Sequence, residues 1–106
     1  MGTSSQLLTT LSAHVGKGNG ISAKILAERL GMDNTRPLRK LITEVIENEN
    51  VAICGTPRDG YYIAATAEEL LETIEFHDHR AKHELAKAGR LRRMLGDLFG
   101  QLHVPA

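Results

Sequence analysis

The chain has 106 residues, with 13 Lys plus Arg against 13 Asp plus Glu and an apolar content of 42%. This length allows one small domain with an appendage, the apolar content excludes a chain that is disordered throughout, and the formal net charge of zero argues against indiscriminate binding to polyanions. A single cysteine excludes an intrachain disulfide, and the sequence shows neither a membrane-length apolar run nor a signal-peptide pattern, so the cytoplasm is the expected compartment.

The N-terminal segment begins with apolar residues at helical spacing. This spacing predicts a first helix over residues 6–15, with Ser4 or Ser5 as its N-cap. Three glycines within residues 16–20 then predict a loop, because glycine favours flexible or left-handed backbone. After that loop, Ile21 alone could form the first strand of a small three-stranded sheet.

A second helix is predicted to begin after Ser22 and to end at Gly31. The Ser22 hydroxyl fits an N-cap, and Gly31 fits the left-handed residue with which many helices end. Ile25, Leu26 and Leu30 are expected on the buried face of this helix.

A third helix is predicted to follow a short turn. Asp33 or Asn34 is its expected N-cap, and Pro37 falls in the first turn, where a missing N–H costs little. The helix should end within residues 48–50. Its buried stripe is expected to comprise Leu38, Leu41, Ile42, Val45 and Ile46.

A β-hairpin is predicted next, with strands over residues 51–55 and 61–64. Asp59 followed by Gly60 is a strong turn signal between them. The residues expected to face the core are Val51, Ile53 and either Tyr61 or Ile63.

A long helix is predicted to occupy the rest of the chain. Thr66 and Glu69 have the spacing of a capping box, and the helical pattern continues to Leu95 or Phe99 with Gly89 as an interruption. The expected organisation is therefore a domain over residues 1–65, a long helix over residues 66–99 and a flexible tail over residues 100–106.

The order of three helices, a hairpin and a further helix resembles a winged helix-turn-helix domain. Residues 22–32 look like the positioning helix and turn, and residues 35–42 look like the start of a recognition helix. Residues 60–64, followed by an acidic helix, are also similar to small winged-helix proteins of phages and prophages. The resemblance implies a mainly α (α+β) fold in which the third helix enters a DNA major groove. The family also includes replication accessories and members that bind only proteins.

The start of the third helix carries the strongest candidate for a DNA-binding surface. Arg36, Arg39 and Lys40 fall on the face opposite the apolar stripe, where a recognition helix presents side chains to bases and phosphates. The alternative is an ordinary solvated helix face. The predicted DNA-contacting residues are Asn34, Thr35, Arg36, Arg39, Lys40, Thr43 and, on the hairpin turn, Arg58.

The long helix is the candidate dimerisation element, because its small and apolar residues recur near the coiled-coil period. Its first half is acidic and its second half is basic, which favours antiparallel pairing about a two-fold axis near Ala81. The same stripe could instead cover the first helix of its own chain. The predicted dimer contacts are Ile74, His77, Ala81, Leu85, Ala88, Leu91 and Leu95.

The sequence gives little support for catalysis or a resident metal. His79 and His83 are four residues apart and could share one ion, but such a pair is more often a solvated face, so we expect no bound metal and no cofactor. Cys54 is expected to be an apolar filler in a strand, and nothing resembles a nucleophile with its base, so we expect no enzymatic activity.

These patterns together predict a homodimeric, sequence-specific protein that binds double-stranded DNA, acting as a transcription regulator with its third helix in the major groove. The main alternative is a winged-helix adaptor in replication or assembly that binds proteins and not DNA. A metal-responsive regulator is the third possibility.

Overall fold

The computed structural model describes residues 2–103 of the chain, and the side chains of residues 2–99. Within these residues the fold is mixed α and β, with a two-stranded antiparallel hairpin between the helices and a long helix at the end. The elements in chain order are α1 (Ser4–Leu11), a 3₁₀ turn (Lys17–Asn19), α2 (Ala23–Arg29), α3 (Arg36–Glu49), β1 (Ile53–Thr56), β2 (Gly60–Ile63) and α4 (Ala67–His103).

Helix α1 begins earlier and ends earlier than its sequence pattern predicts. Its N-cap is Thr3, whose hydroxyl accepts from the Gln6 amide at 3.2 Å while the Gln6 side chain accepts from the Thr3 amide at 3.0 Å. The prediction of Ser4 or Ser5 as the cap was therefore wrong. The helix stops at Leu11 because the chain beyond it joins the hairpin: His14 accepts a backbone hydrogen bond from Ile63.

The two ends of α2 are formed by the residues that the sequence predicts. Ser22 caps α2 by accepting from the Ile25 amide at 3.3 Å, and Gly31 follows the helix at φ 71°. After the turn, Thr35 is the N-cap of α3 by position but makes no side-chain capping bond. Asn34 supplies the acceptor instead, since its Oδ1 takes the Arg36 amide hydrogen at 2.9 Å.

The main core lies between α1, α2, α3 and the hairpin. Two residues expected in it are exposed: Ile25 at 46% and Ile46 at 41%. Ile25 lies about 100° around α2 from Leu26 and so points away from the buried face, and Ile46 lies at the edge of the α3 stripe. The buried core residues are Leu7, Leu11, Ile21, Leu26, Ala27, Leu30, Leu38, Ile42, Val45 and Ile53.

Ile21, which lies outside the hairpin, pairs with strand β2. β1 pairs with β2 in antiparallel register, and Ile21 forms an isolated antiparallel bridge with Tyr61, as the sequence predicts. Gly60 makes this approach possible, because it has φ 73° and a Cβ at its position would lie 2.5 Å from the Ile21 carbonyl oxygen.

The hairpin is covered on both faces. Ile53 is buried in the main core, with Tyr61 and Ile63 partly buried against it. The most buried residue of β2 is nevertheless Tyr62. The prediction that Tyr61 or Ile63 faces the core therefore missed the residue of this strand with the smallest exposed fraction. Tyr62 pairs with buried Cys54 on the opposite face, outside the main core cluster.

The first turns of α4 cover this second face. Cys54 Sγ lies 3.8 Å from the Glu69 carbonyl oxygen, which confirms Cys54 as a buried filler. Burial raises the pKa of the Tyr62 phenol, the nearby Cys54 adds to the rise, and the Thr73 hydroxyl opposes it. Thr73 Oγ1 is itself buried and makes no well-formed hydrogen bond to any described residue.

Helix α4 begins as the sequence predicts. The Thr66 hydroxyl accepts from the Glu69 amide at 3.2 Å, and the Glu69 carboxylate accepts from the Ala65 amide at 2.8 Å. The helix continues through Gly89 and runs to His103, so the predicted interruption is absent and the first residues of the predicted tail are helical. Residues 104–106 of that tail lie outside the described residues.

The chain divides into two units, called here the N-terminal unit (Met1–Ile74) and the C-terminal unit (Glu75–Ala106). The first holds the core and the hairpin, and the second consists of the remainder of α4 within the described residues. Of the helices within residues 2–103, none has the length and apolarity that crossing a lipid bilayer demands.

Candidate nucleic-acid interface

The outward face of α3 is the candidate interface. Leu38, Ile42 and Val45 are buried, which fixes the rotation of the helix about its axis. Residues about half a turn away from this stripe must then face solvent. The exposed residues on that face are Arg36, Arg39, Lys40 and Thr43, as the sequence predicts.

The cations of this face have no counterion among the described residues. The ion pairs within the described part of the chain are Lys17 with Glu72 and Lys87 with Glu84, so neither involves Arg36, Arg39 or Lys40. No hydrogen bond between these three side chains and another described residue is present either. Their N–H donors are therefore available to an external acceptor, and the planar fork of an arginine suits a phosphate or a guanine edge.

The polar residues among the predicted contacts are partly engaged within the protein. Asn34 Oδ1 is occupied by the Arg36 amide, which leaves the side-chain NH₂ of Asn34 as its external group. Thr43 Oγ1 donates to the Arg39 carbonyl oxygen at 3.0 Å, which leaves only its lone pairs and its methyl group. Thr35 is half-buried at the helix start. These residues are therefore weaker candidates than the cations.

Acidic residues limit how far an anion could lie along α3. Glu44, Glu47 and Glu49 are exposed on the later turns of the helix. Glu47 falls on the same face as Arg36, one turn beyond Thr43. A phosphate backbone would be attracted to the first two turns and repelled by the last two.

Arg58 is the cation of the hairpin turn. The turn is held by the Thr56 hydroxyl, which contacts Asp59 Oδ2 at 3.1 Å and accepts from the Asp59 amide at 3.1 Å. Arg58 is exposed at its tip and makes no hydrogen bond to another described residue. The predicted cations therefore belong to two elements, α3 and the hairpin turn.

Two polar residues of the loop before α2, Lys17 and Asn19, make hydrogen bonds within the protein. Asn19 Nδ2 donates to the Val15 carbonyl oxygen at 2.8 Å. Lys17 Nζ forms a 2.9 Å ion pair with Glu72, and the hydrogen bond to Glu72 raises the pKa of Lys17. Both residues therefore stabilise the loop, which makes them poorer ligands for a phosphate than Arg36 or Arg39.

Glu69 joins this loop to the start of α4, a role that the sequence did not reveal. Its Oε2 accepts from the Lys17 amide at 2.9 Å, and its Oε1 accepts from the Ala65 amide. The backbone hydrogen bond from Lys17 lowers the pKa of the Glu69 carboxyl most, and the one from Ala65 lowers it further. The capping spacing from Thr66 predicts a local contact of Glu69, but the contact with the distant Lys17 has no sequence signal.

The predicted dimer residues of α4 are mostly exposed. Leu85 is 68% exposed and Leu91 58%, whereas Ala88 is partly covered. Three further large apolar residues of the C-terminal unit are absent from the predicted dimer contacts, Met94, Leu98 and Phe99, although their spacing from Leu91 and Leu95 could have indicated them. The predicted positions exposed to solvent are Ile74, His77, Ala81, Leu85, Leu91 and Leu95.

The histidine pair on the C-terminal unit is closely spaced. Nε2 of His79 lies 3.1 Å from Nε2 of His83, and the two ring centroids are 4.5 Å apart. Over the residues that the structure describes, no group of three or more His, Cys, Asp or Glu side chains could hold a metal ion together.

Comparison with models of known protein families, with curated proteins and with solved structures finds no match to this chain.

Proposed function

We propose that the chain is a winged helix-turn-helix protein that binds specific double-stranded DNA sequences as a homodimer and regulates transcription. The observation that carries this proposal is the row of exposed cations on the first two turns of α3, which form no ion pair with any residue that the structure describes. It lies on the second of two helices joined by a short turn, where helix-turn-helix proteins carry their base contacts.

The size of α3 suits a major groove. Its 14 residues span roughly 21 Å at the usual helical rise, and the groove is about 12 Å wide, enough for one helix. With the first turns in the groove, Arg36 and Arg39 are within side-chain reach of base edges and Lys40 of the backbone. The acidic last turns leave the groove, which avoids repulsion from phosphate.

The hairpin would act as the wing. Arg58 at its tip would contact flanking backbone or the adjacent minor groove, where arginine is favoured by the negative potential. This contact adds affinity more than specificity, since phosphate contacts carry no sequence information directly.

Homodimerisation would use the exposed stripe of α4. In antiparallel register about Ala81, Ile74 lies opposite the second copy's Ala88, so a large residue meets a small one. The acidic first half of the helix then lies along the basic second half of the second copy, which brings Glu72 near the second copy's Arg90. Charge complementarity therefore favours the antiparallel arrangement over a parallel one, in which like charges would be adjacent.

Selection from a random pool of duplex DNA tests this proposal. The intact protein should enrich one sequence class, and the double variant Arg36→Ala with Arg39→Ala should lose the enrichment, since each bidentate arginine–guanine contact gives about 1–3 kcal/mol of discrimination. The matched control is Lys24→Ala with Arg29→Ala, which removes the same charge from exposed positions of α2. If the control variant lost enrichment as much as the α3 variant does, the assignment of α3 as the recognition helix would be contradicted.

A protein-binding adaptor is the second candidate, favoured by the exposed Ile25 on α2 and Ile46 on α3. Residues 2–66 carry seven Lys and Arg against six Asp and Glu, so this region has little net positive charge with which to attract DNA. If the chain is an adaptor, the DNA selection would enrich no sequence. Ile46→Ser would then weaken the complex with the partner protein more than Arg36→Ala with Arg39→Ala does.

A further inference from the structure

His79 and His83 form a pair whose geometry goes beyond what their spacing in the sequence predicts. They lie one turn apart on the C-terminal unit, both exposed, with their Nε2 atoms 3.1 Å apart. The rings meet at an interplanar angle of 77° rather than stacking flat. Both nitrogens therefore lie close to one point in solvent.

This separation matches the bite of a metal chelate. An imidazole nitrogen binds zinc at about 2.0–2.1 Å, and two such bonds at angles of roughly 100–110° hold the nitrogens about 3.1–3.4 Å apart. We propose that His79 and His83 chelate one first-row divalent cation of the zinc, nickel, copper or cobalt class through Nε2. Imidazole ligands favour these ions, whereas magnesium and calcium prefer oxygen. This proposal departs from the expectation from sequence that the pair binds no metal.

The site has two protein ligands. Over the described residues there is no third His, Cys, Asp or Glu positioned to complete it, so water or a donor from another molecule fills the remaining positions. The affinity is accordingly lower than that of closed four-ligand sites. An open coordination position also leaves the ion able to take an external ligand.

The pair is independent of the proposed dimer surface. His79 and His83 lie two residues before and two residues after Ala81, which places each about 200° around the helix from it. A metal at this pair therefore lies on the side of α4 opposite the proposed two-fold axis. Its binding closes a ring across one helical turn and stabilises the helix locally.

Protons compete with the metal. Both ring nitrogens must be unprotonated to bind the ion, so binding should weaken in acid. A simple hydrogen bond between the two rings would respond differently, because it needs only one donor and one acceptor and no added ion.

The test is calorimetric titration of the intact chain with zinc chloride and with nickel chloride. We expect one ion per chain, a loss of binding by at least tenfold in His79→Ala or His83→Ala, and no change in His77→Ala. His77 is the matched control, because it is an exposed histidine on the same helix whose neighbours four residues away are Thr73 and Ala81. Circular dichroism of each variant verifies that the helix is retained.

Three results would overturn the proposal. They are the absence of zinc and nickel binding at micromolar ion concentrations, an equal loss in His77→Ala, and a stoichiometry of one ion per two chains, which would place the ion between copies. As a second readout, added zinc should raise the melting temperature of the intact protein and of His77→Ala but not of His83→Ala. Ala81→Glu should bind zinc like the intact protein, so failure of the dimer model leaves this test unaffected.

Discussion

The two units of the chain treat similar apolar side chains in opposite ways. In the N-terminal unit, Leu7, Leu26 and Leu38 are completely buried, whereas in the C-terminal unit Leu85 is 68% exposed and Leu95 53%. The first unit therefore contributes its own hydrophobic stabilisation, whereas these leucines of the second unit leave more than half of their surface exposed to water. This difference supports the proposal that the apolar stripe of the second unit serves association, whereas the core of the first unit serves folding.

The same substitution in the two units should expose this contrast most strongly. Leu38→Ala should lower the free energy of unfolding of the N-terminal unit by about 2–5 kcal/mol, because it leaves a cavity in a packed core. Leu85→Ala should change it by less than about 0.5 kcal/mol. Both tyrosines, Tyr61 and Tyr62, lie in the N-terminal unit and the chain has no tryptophan, so tyrosine fluorescence during urea unfolding follows that unit alone. Similar losses in both variants would contradict the contrast.

Two glycines should respond to alanine with opposite signs. Gly60→Ala should destabilise the protein by about 1–3 kcal/mol, because the residue has a positive φ and the new Cβ would collide with the Ile21 carbonyl. Gly89→Ala should stabilise α4 by about 0.5–1 kcal/mol, since no heavy atom other than its local helical backbone lies within 4 Å of the new Cβ. Thermal unfolding measured by circular dichroism checks both; stabilisation by Gly60→Ala would show that the hairpin does not approach Ile21.

The dimer model predicts that a charge at its two-fold axis weakens association. Ala81→Glu should weaken the dimer by at least about tenfold, or ~1.4 kcal/mol, because two like charges would be desolvated side by side. Ala86→Glu is the control, since it adds the same charge to an exposed position on another face of the helix. Sedimentation equilibrium over a range of concentrations measures both, and equal dissociation in the two variants would argue for a general charge effect.

The smallest predicted effect concerns Glu69, whose carboxylate has a lower pKa in the fold than in the unfolded chain. It therefore stabilises the protein above the usual glutamate pKa of about 4.3, and the contribution is lost as the pH falls through the lower folded value. Glu69→Gln should lower the melting temperature slightly at neutral pH, with the difference from the intact protein shrinking in acid. Glu68→Gln, at a neighbouring exposed position, should show no such dependence.

Local signals in the sequence predicted most of the elements. Ser22, Gly31 and Thr66 act at helix ends through their own side chains or backbone angles, so a short window contains the information. The exposed cations of α3 were predictable for the same reason, because a regular apolar stripe fixes which residues face outward. Their ability to bind DNA stays a prediction.

The remaining features depend on contacts between distant segments. The burial of Tyr62 requires the first turns of α4 to lie over the second face of the hairpin, which strand alternation cannot indicate. Helix α1 ends at Leu11 because the hairpin takes up His14, although the helical pattern continues to Val15. The approach of His79 to His83 depends on side-chain rotamers, which spacing alone leaves open.

Sedimentation equilibrium of the unmutated protein tests the contrast between the two units most directly. If the exposed stripe of α4 serves association, the intact chain should have the mass of two copies at micromolar concentration and should dissociate on dilution. A mass of one chain throughout that range would contradict the account, since the apolar residues of the C-terminal unit would then remain in water without a second copy.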